Sequence, residues 1–433
     1  MIHHQVVSRS PCKKPQPIEA LIAQPVFLFG FQTSLRQLQA VFPSRFRSFF
    51  ERIPLDKMPI RIRHLMRLQL ITIGGGNVTL LLKRLLGAPK MLINANLAYL
   101  CKQIFSRLQK YFRPMLTCVD ILEGHSDIVN SFAFHPTLPL LATGSLDNTA
   151  KLWRLSFDNS VSTCVATLEG HCGDVVSVAF HPTEPLLATG SYDNTAKLWR
   201  FEPDGSMATC VATLEGHSDG VYSVAFHPTL LLLATGSYDD TVKFWCLSSV
   251  SSAATCAATL EGHSDGVYSV AFHPTLLLLA TGSYDNTAKL WRIEPDGSNA
   301  TCVATLEGHS RWVKAVAFHP TLYLLATGSA DQTAKLWRFS PDGSTATCVA
   351  TLAGYTSFIT SVAFHPTEPL LATSSLDSTT KLWRFSPDGS NANCVVTMGD
   401  EFFNICEVRS VVFHPTEPIL AICLENKTAE LFR

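Results

Sequence analysis

Short apolar alternations, broken at fixed intervals by polar turn residues, run through the C-terminal three quarters of the chain. In residues 214–245, LEGHSDGVYSVAFHPTLLLLATGSYDDTVKFW, an alternation over 221–226 leads to His227-Pro228, a second apolar run over 230–235 and a third over 241–245. A fourth run, 255–260, follows a loop. Runs of five or six residues rich in β-branched and aromatic side chains, bounded by Pro, Gly, Asp and Ser, predict strands rather than helices. The whole unit recurs. Phe-His-Pro-Thr stands at Phe134, Phe180, Phe226, Phe272, Phe318, Phe364 and Phe413, five steps of 46 residues and a last step of 49. Seven copies of a four-strand unit at this period predict an all-β, seven-bladed β-propeller of four-stranded antiparallel blades.

Within each unit Gly-His comes near the start, an Asp follows the His by 22 positions, and a Trp follows the Asp by six. This spacing resembles the WD-repeat β-propeller family over residues 116–433. The resemblance implies that the histidine, a strand Ser, the turn Asp and the Trp form a buried hydrogen-bonded set in each blade. The residues concerned are His125, Ser145, Asp147 and Trp153 in blade one, and His171, Ser191, Asp193 and Trp199 in blade two. Blade three has His217, Ser237, Asp239 and Trp245, blade four His263, Ser283, Asp285 and Trp291, and blade five His309, Ser329, Asp331 and Trp337. Blade six keeps Ser375, Asp377 and Trp383 but has Tyr355 in place of the His. Blade seven has Asp400, Leu424, Asn426 and Phe432 at the four positions, which makes it the blade expected to be loosest. The Trp is followed by Arg or Cys, so the Trp-Asp dipeptide that names the family is altered throughout.

Closure is written in the same pattern. The seventh unit runs only through its third strand, while residues 117–125 (TCVDILEGH) match 209–217 (TCVATLEGH). The N-terminal strand is therefore expected to complete the last blade, which leaves no free sheet edge between the two ends.

Charge divides the chain in two. Residues 1–115 hold 18 Lys and Arg against three Asp and Glu, whereas the remainder holds 16 against 32. The near-zero total conceals a basic, partly helical N-terminal segment ahead of an acidic propeller. Helices are predicted after Ser34 and Ser44, a hinge at Gly74 to Gly76, and an amphipathic helix carrying Leu97, Leu100, Cys101, Ile104, Leu108 and Phe112 on one face. Such a segment suits an anionic partner, nucleic acid or membrane surface, an organelle address, or the propeller's own acidic surface. It lacks the long apolar core of a secretory signal. Seven of the 13 cysteines (Cys118, Cys164, Cys210, Cys256, Cys302, Cys348, Cys394) share one place in the outer strand. They read as small apolar strand residues that lie too far apart to bridge, in an intracellular setting, cytoplasmic or nuclear.

Fifteen histidines invite an enzymatic reading, but 12 occupy the repeated Gly-His and His-Pro positions. Chemistry done once does not need its residues in every blade. The sequence predicts no catalytic residue, no metal site and no cofactor.

Binding is expected where the units differ. Immediately before the turn Asp stand Leu146, Tyr192, Tyr238, Tyr284, Ala330 and Leu376, with Glu425 where the Asp is replaced; five places after the Gly-His position stand Asn130, Val176, Tyr222, Tyr268, Lys314, Thr360 and Arg409. In the resembled family the loops holding these places line one face around the channel, where partner peptides dock. Blades two to five thus share an arc of Tyr192, Tyr222, Tyr238, Tyr268, Tyr284 and Trp312, bordered by Arg311 and Lys314, and aromatic and Arg side chains are common interface anchors. The expected function is a non-catalytic scaffold that binds a protein or peptide on this face within a multiprotein complex. Two alternatives are a nucleic-acid-associated factor using the basic segment and a substrate receptor of a ubiquitin ligase.

Overall fold

The structure, a computed structural model, describes residues 118–156, 161–248, 254–399, 406–425 and 427–433. The chain divides into units 1–113 and 114–433. All described residues belong to the second, and the helices and hinge expected in the basic segment lie outside them.

Twenty-eight strands, β1 to β28 in chain order, form seven four-stranded antiparallel sheets, and no helix occurs among the described residues. Blade three shows the plan: β10 (Val221–Phe226), β11 (Leu232–Ser237), β12 (Val242–Leu247) and β13 (Ala254–Leu260) pair in sequence order. The second strand starts at Leu232, two residues later than the apolar run suggests. The His227 ring explains the shift: its Nδ1 accepts the amides of Thr229 and Leu230 at 3.2 and 3.0 Å, which holds 228–231 as a turn.

The ring closes between the two ends of the described chain. β1 (Cys118–Leu122) pairs with β28 (Ala429–Phe432), and with β27 (Leu420–Leu424) and β26 (Val408–Phe413) they make the seventh blade. Across the seam Phe134 meets the His414 ring at 4.7 Å, repeating the contact that Phe180 makes with His135 and Phe226 with His181.

The core lies between blades rather than inside them. The second strand, Leu-Leu-Ala-Thr-Gly-Ser in blades one to five, is buried at all six positions, because each of its faces meets a neighbouring blade. One apolar layer joins Leu140, Ala142 and Leu152 of blade one to Val175, Phe180 and Trp199 of blade two. The layers need small residues at fixed places: a Cβ on Gly328 would stand 2.6 Å from Ile359 Cγ2. The outer strand is the exception to burial, with its cysteines turned outward. Cys118, Cys164, Cys210, Cys256, Cys302, Cys348 and Cys394, expected as small strand residues too far apart to bridge, are free thiols in the outer strands, and all seven are exposed. Each points its Sγ at the carbonyl two residues on, as Cys210 does toward Ala212 at 3.6 Å.

Candidate functional site

Two systems of side chains stand out, one that fixes each blade and one that varies from blade to blade. The fixed system begins at the Gly-His histidine. His217 Nδ1 lies 2.8 Å from Asp239 Oδ2, and its Nε2 lies 2.7 Å from Thr235 Oγ1. Trp245 Nε1 donates to the same Thr235 oxygen at 2.9 Å. The donors therefore run in one direction, from indole N–H to hydroxyl, from hydroxyl to imidazole, and from imidazole to carboxylate. A Thr thus sits between His and Trp where a Ser was expected. Ser237 instead donates to the Asp219 carbonyl at 2.9 Å and accepts the Asp239 amide at 3.1 Å, which fixes the turn. The same bonds recur through Thr143, Thr189, Thr281 and Thr327.

Burial works to raise the Asp239 carboxyl, but the bonds from His217 and Thr241 outweigh it and hold the group well below the usual carboxylate range. Burial lowers His125 and His171 against the pull of their Asp partners. In blade six the Tyr355 hydroxyl takes the place of the imidazole, bonding Thr373 and accepting Trp383 Nε1 at 3.1 Å. Blade seven replaces the set by packing: Ile422, Leu424 and Phe432 are buried in one apolar cluster. Asp400 and Asn426 lie outside the described residues.

The variable system is set by a backbone irregularity. In every blade the ladder between first and second strands slips after the first residue: Val221 pairs with Ser237 but Ser223 pairs with Gly236. Tyr222 is left as the extra residue of a β-bulge, and Asn130, Val176, Tyr268, Lys314, Thr360 and Arg409 hold the same place. A bulge re-aims its side chain and relieves it of pairing, so identity there is free to change. The second variable place is tied beside it, since the Tyr238 amide donates to the Gly220 carbonyl at 3.0 Å.

These places bring the predicted aromatics together. Tyr192 and Tyr222 have ring centroids 4.9 Å apart, Tyr222 and Tyr268 4.8 Å, and Tyr268 and Tyr284 stack at 4.3 Å. Tyr238 touches both Tyr222 and Tyr284, and Tyr284 meets Trp312 at 4.3 Å. Lys314 Nζ lies 5.3 Å from the Tyr268 ring centre. Arg311 does not reach the tyrosines; it lies over Phe358, 5.8 Å away, and Phe358 in turn meets Trp312. Phe358 extends the row into blade six and was missed in the sequence, although it stands three places after Tyr355 as Trp312 stands three after His309. Tyr192 and Tyr238 are 44% and 39% exposed, so the row has an open side. Gly266 makes room for it: a Cβ there would lie 2.6 Å from Tyr238 Cδ2.

Charge around the row is uneven. Asp174 is raised by burial and by the nearby charge of Asp127, and Asp240 by burial and by Asp265. Arg409 is bonded to Glu407 at 3.0 Å and Glu425 at 3.4 Å. Among the described residues no group of three His, Cys, Asp or Glu side chains is placed to share a metal ion. The His-Pro histidines serve the strand corners, each accepting two backbone amides, as His273 does from Thr275 and Leu276.

The profile of the family described as WD domain, G-beta repeat matches six successive stretches, 116–154, 162–200, 208–246, 254–292, 300–338 and 346–384. Together they cover more than half of the chain. The chain belongs to the WD-repeat family. WD-repeat propellers are in general protein-interaction scaffolds rather than enzymes, and the repeat assignment stops short of the seventh blade, the one without the polar set. Among curated proteins the chain is similar to coatomer subunit alpha of Saccharomyces cerevisiae, 61% identical over 36 residues, and to coatomer subunit alpha-1 of Arabidopsis thaliana, 56% identical over 36 residues. Each match covers 8% of this chain and 3% of the relative.

Proposed function

We propose that this WD-repeat propeller is a non-catalytic platform that holds a protein partner on the face carrying Tyr192, Tyr222, Tyr238, Tyr268, Tyr284 and Trp312. The observation that carries the reading is the continuity of the aromatic row. Six rings and Phe358 touch in sequence across blades two to six, and they stand at the places where the repeat leaves identity free. Framework need alone does not explain them, because Ala330 and Leu376 fill one of the same places in blades five and six. Aromatic rings give large contact area with little loss of rotamer freedom, which suits them to interface centres.

The coatomer relatives do not name the partner. Their matching stretch, 36 residues, is shorter than one 46-residue unit. The test is affinity capture with full-length chain, with residues 116–433 alone, and with full-length chain carrying Tyr222→Ala, Tyr268→Ala and Trp312→Ala, each with and without nuclease. Partners that survive nuclease and loss of the basic segment, but not the triple substitution, support this reading. Partners lost with the segment or with nuclease, and indifferent to the substitutions, overturn it in favour of the basic segment as the carrier of function.

A further inference from the structure

The rings of the row differ in what stands over them. Tyr268 carries the Lys314 ammonium at 5.3 Å and Phe358 the Arg311 guanidinium at 5.8 Å, both cations of this chain. Tyr192 and Tyr238, the two rings on the open side, carry no cation among the described residues. At Tyr238 carboxylates gather instead. Its phenol is raised by Tyr284, then by burial and by the charges of Asp265, Asp219 and Asp240. Asp219 and Asp265 are each fixed by their own loop, with Oδ1 accepting the Gly220 amide at 2.7 Å and the Gly266 amide at 2.8 Å. Among the described residues their Oδ2 atoms make no bond, and none of the three carboxylates is paired with a Lys or Arg. Burial raises Asp240 as well, and the charges of Asp265, Asp239 and Asp285 add to it.

We infer that the open ring of Tyr238, with Asp219, Asp240 and Asp265 beside it, receives a Lys or Arg side chain of the docked protein segment, so that the partner is basic where it crosses blades three and four. This deepens the proposed function and rests on the row being the docking face. Charge complementarity selects the partner. Besides the turn Asp, the loops of blades three and four at this end hold these three carboxylates and no Lys or Arg. The third strand of each of these blades brings one Lys, but the Leu-Glu-Gly-His stretch brings one exposed Glu, as Lys243 and Glu261 show, and Lys243 is turned to Thr259 of the outer strand at 2.9 Å. A cation on the face of Tyr238 meets the negative side of the ring and relieves three like charges at once, and the apolar stem of Lys or Arg covers the ring. An anion there would meet only repulsion.

The test uses three dye-labelled nine-residue peptides that share one apolar frame and differ at a single central residue: arginine, its neutral isostere citrulline, or glutamate. Fluorescence anisotropy of the dye reports binding to the full-length chain. The arginine peptide is expected to bind saturably and about tenfold more tightly than the citrulline peptide, with the glutamate peptide weakest. The advantage should shrink as salt screens the charges. Asp240→Asn together with Asp265→Asn keeps side-chain shape and should bring the ratio to about twofold or less, the range left to the ring alone. Asp204→Asn, in a Pro-Asp-Gly-Ser turn at the opposite end, should leave it unchanged. No saturable binding of the arginine peptide, binding no tighter than that of the citrulline peptide, or a preference that persists in the double variant overturns the inference. Peptides that bind without charge preference and are lost with the Tyr222, Tyr268 and Trp312 triple substitution overturn the cation site alone. Binding of all three that is indifferent to the triple substitution overturns the docking face instead.

Discussion

Tyr284 and Trp312 belong to neighbouring blades, yet their ring centroids stand 4.3 Å apart. Tyr284 precedes the turn Asp of blade four, and Trp312 lies in the stretch that leads into the first strand of blade five. The loops of blades two to six at one end of the propeller therefore form one continuous row of rings.

Gly266→Ala tests that continuity without removing any aromatic ring. The added Cβ would stand 2.6 Å from Tyr238 Cδ2 and 3.1 Å from Tyr238 Cα. The ring has to move, and overpacking of this kind costs about 1–3 kcal/mol. Partner affinity is expected to fall with only a small drop in the thermal midpoint. Unchanged affinity would show that the position of Tyr238 does not matter to binding.

The blade sets make a second prediction through Thr235. Thr235→Val keeps shape but orphans His217 Nε2 and Trp245 Nε1 together. The expected loss is about 2 kcal/mol or more, because buried polar atoms without partners carry their full desolvation cost. Tyr355→Phe in blade six should cost less, about 1 kcal/mol, since Trp383 keeps its bond to Thr373 at 2.8 Å. Denaturant unfolding of the two variants side by side checks the order.

Stability should decline in acid in two stages. His227, His273 and His319 each accept two amides at Nδ1 and so are neutral with the proton on Nε2, and burial lowers each to about 4 from 6.5. Below 6.5 the unfolded chain binds protons that the folded chain refuses. Stability is therefore full above that value and lost as pH falls toward 4, by roughly 2 kcal/mol per histidine near pH 5. Asp239, Asp285 and Asp331 lie well below the usual carboxylate range despite burial, through their bonds to His and Thr. Their contribution is present above the unfolded carboxylate value and disappears only as pH falls below it, giving a second, steeper loss. A thermal midpoint that stays flat from neutral pH to about pH 5 would contradict the first stage.

The outward cysteines give a direct check of the outer strands. Native chain treated with a thiol reagent and digested for mass analysis should show label at Cys164, Cys210, Cys256, Cys302, Cys348 and Cys394, and none at buried Cys423. Cys118 should lag behind the six. Burial and the charge of Glu430 push its thiol up to about 11, and the thiolate is the reacting form.

Much of this was legible in the sequence because repetition multiplies every signal. The blade count, the inner strand over 221–226 and the completion of the last blade by 118–122 follow from period and alternation. Repetition also hides roles. Thr235 and Ser237 are equally constant in blades one to five, so constancy could not say which hydroxyl lies between His and Trp; the strand register decides it. That the outer cysteines face outward was not legible, because their strand reads as apolar while the fold leaves its outer edge uncovered. Phe358 escaped notice because it lies in a loop whose neighbour in blade six begins with Tyr355 rather than His.

On the proposed reading the aromatic end of the propeller, and not the opposite end, holds the partner. Tyr238 follows the last residue of a second strand and Tyr323 precedes the first residue of another, so they mark opposite ends of equivalent strands. They are 39% and 46% exposed, which makes them matched sites for a photo-crosslinking amino acid. In full-length chain, crosslinking from position 238 is expected to give a discrete protein adduct that position 323 does not give. An adduct from position 323 alone would place the partner at the opposite end.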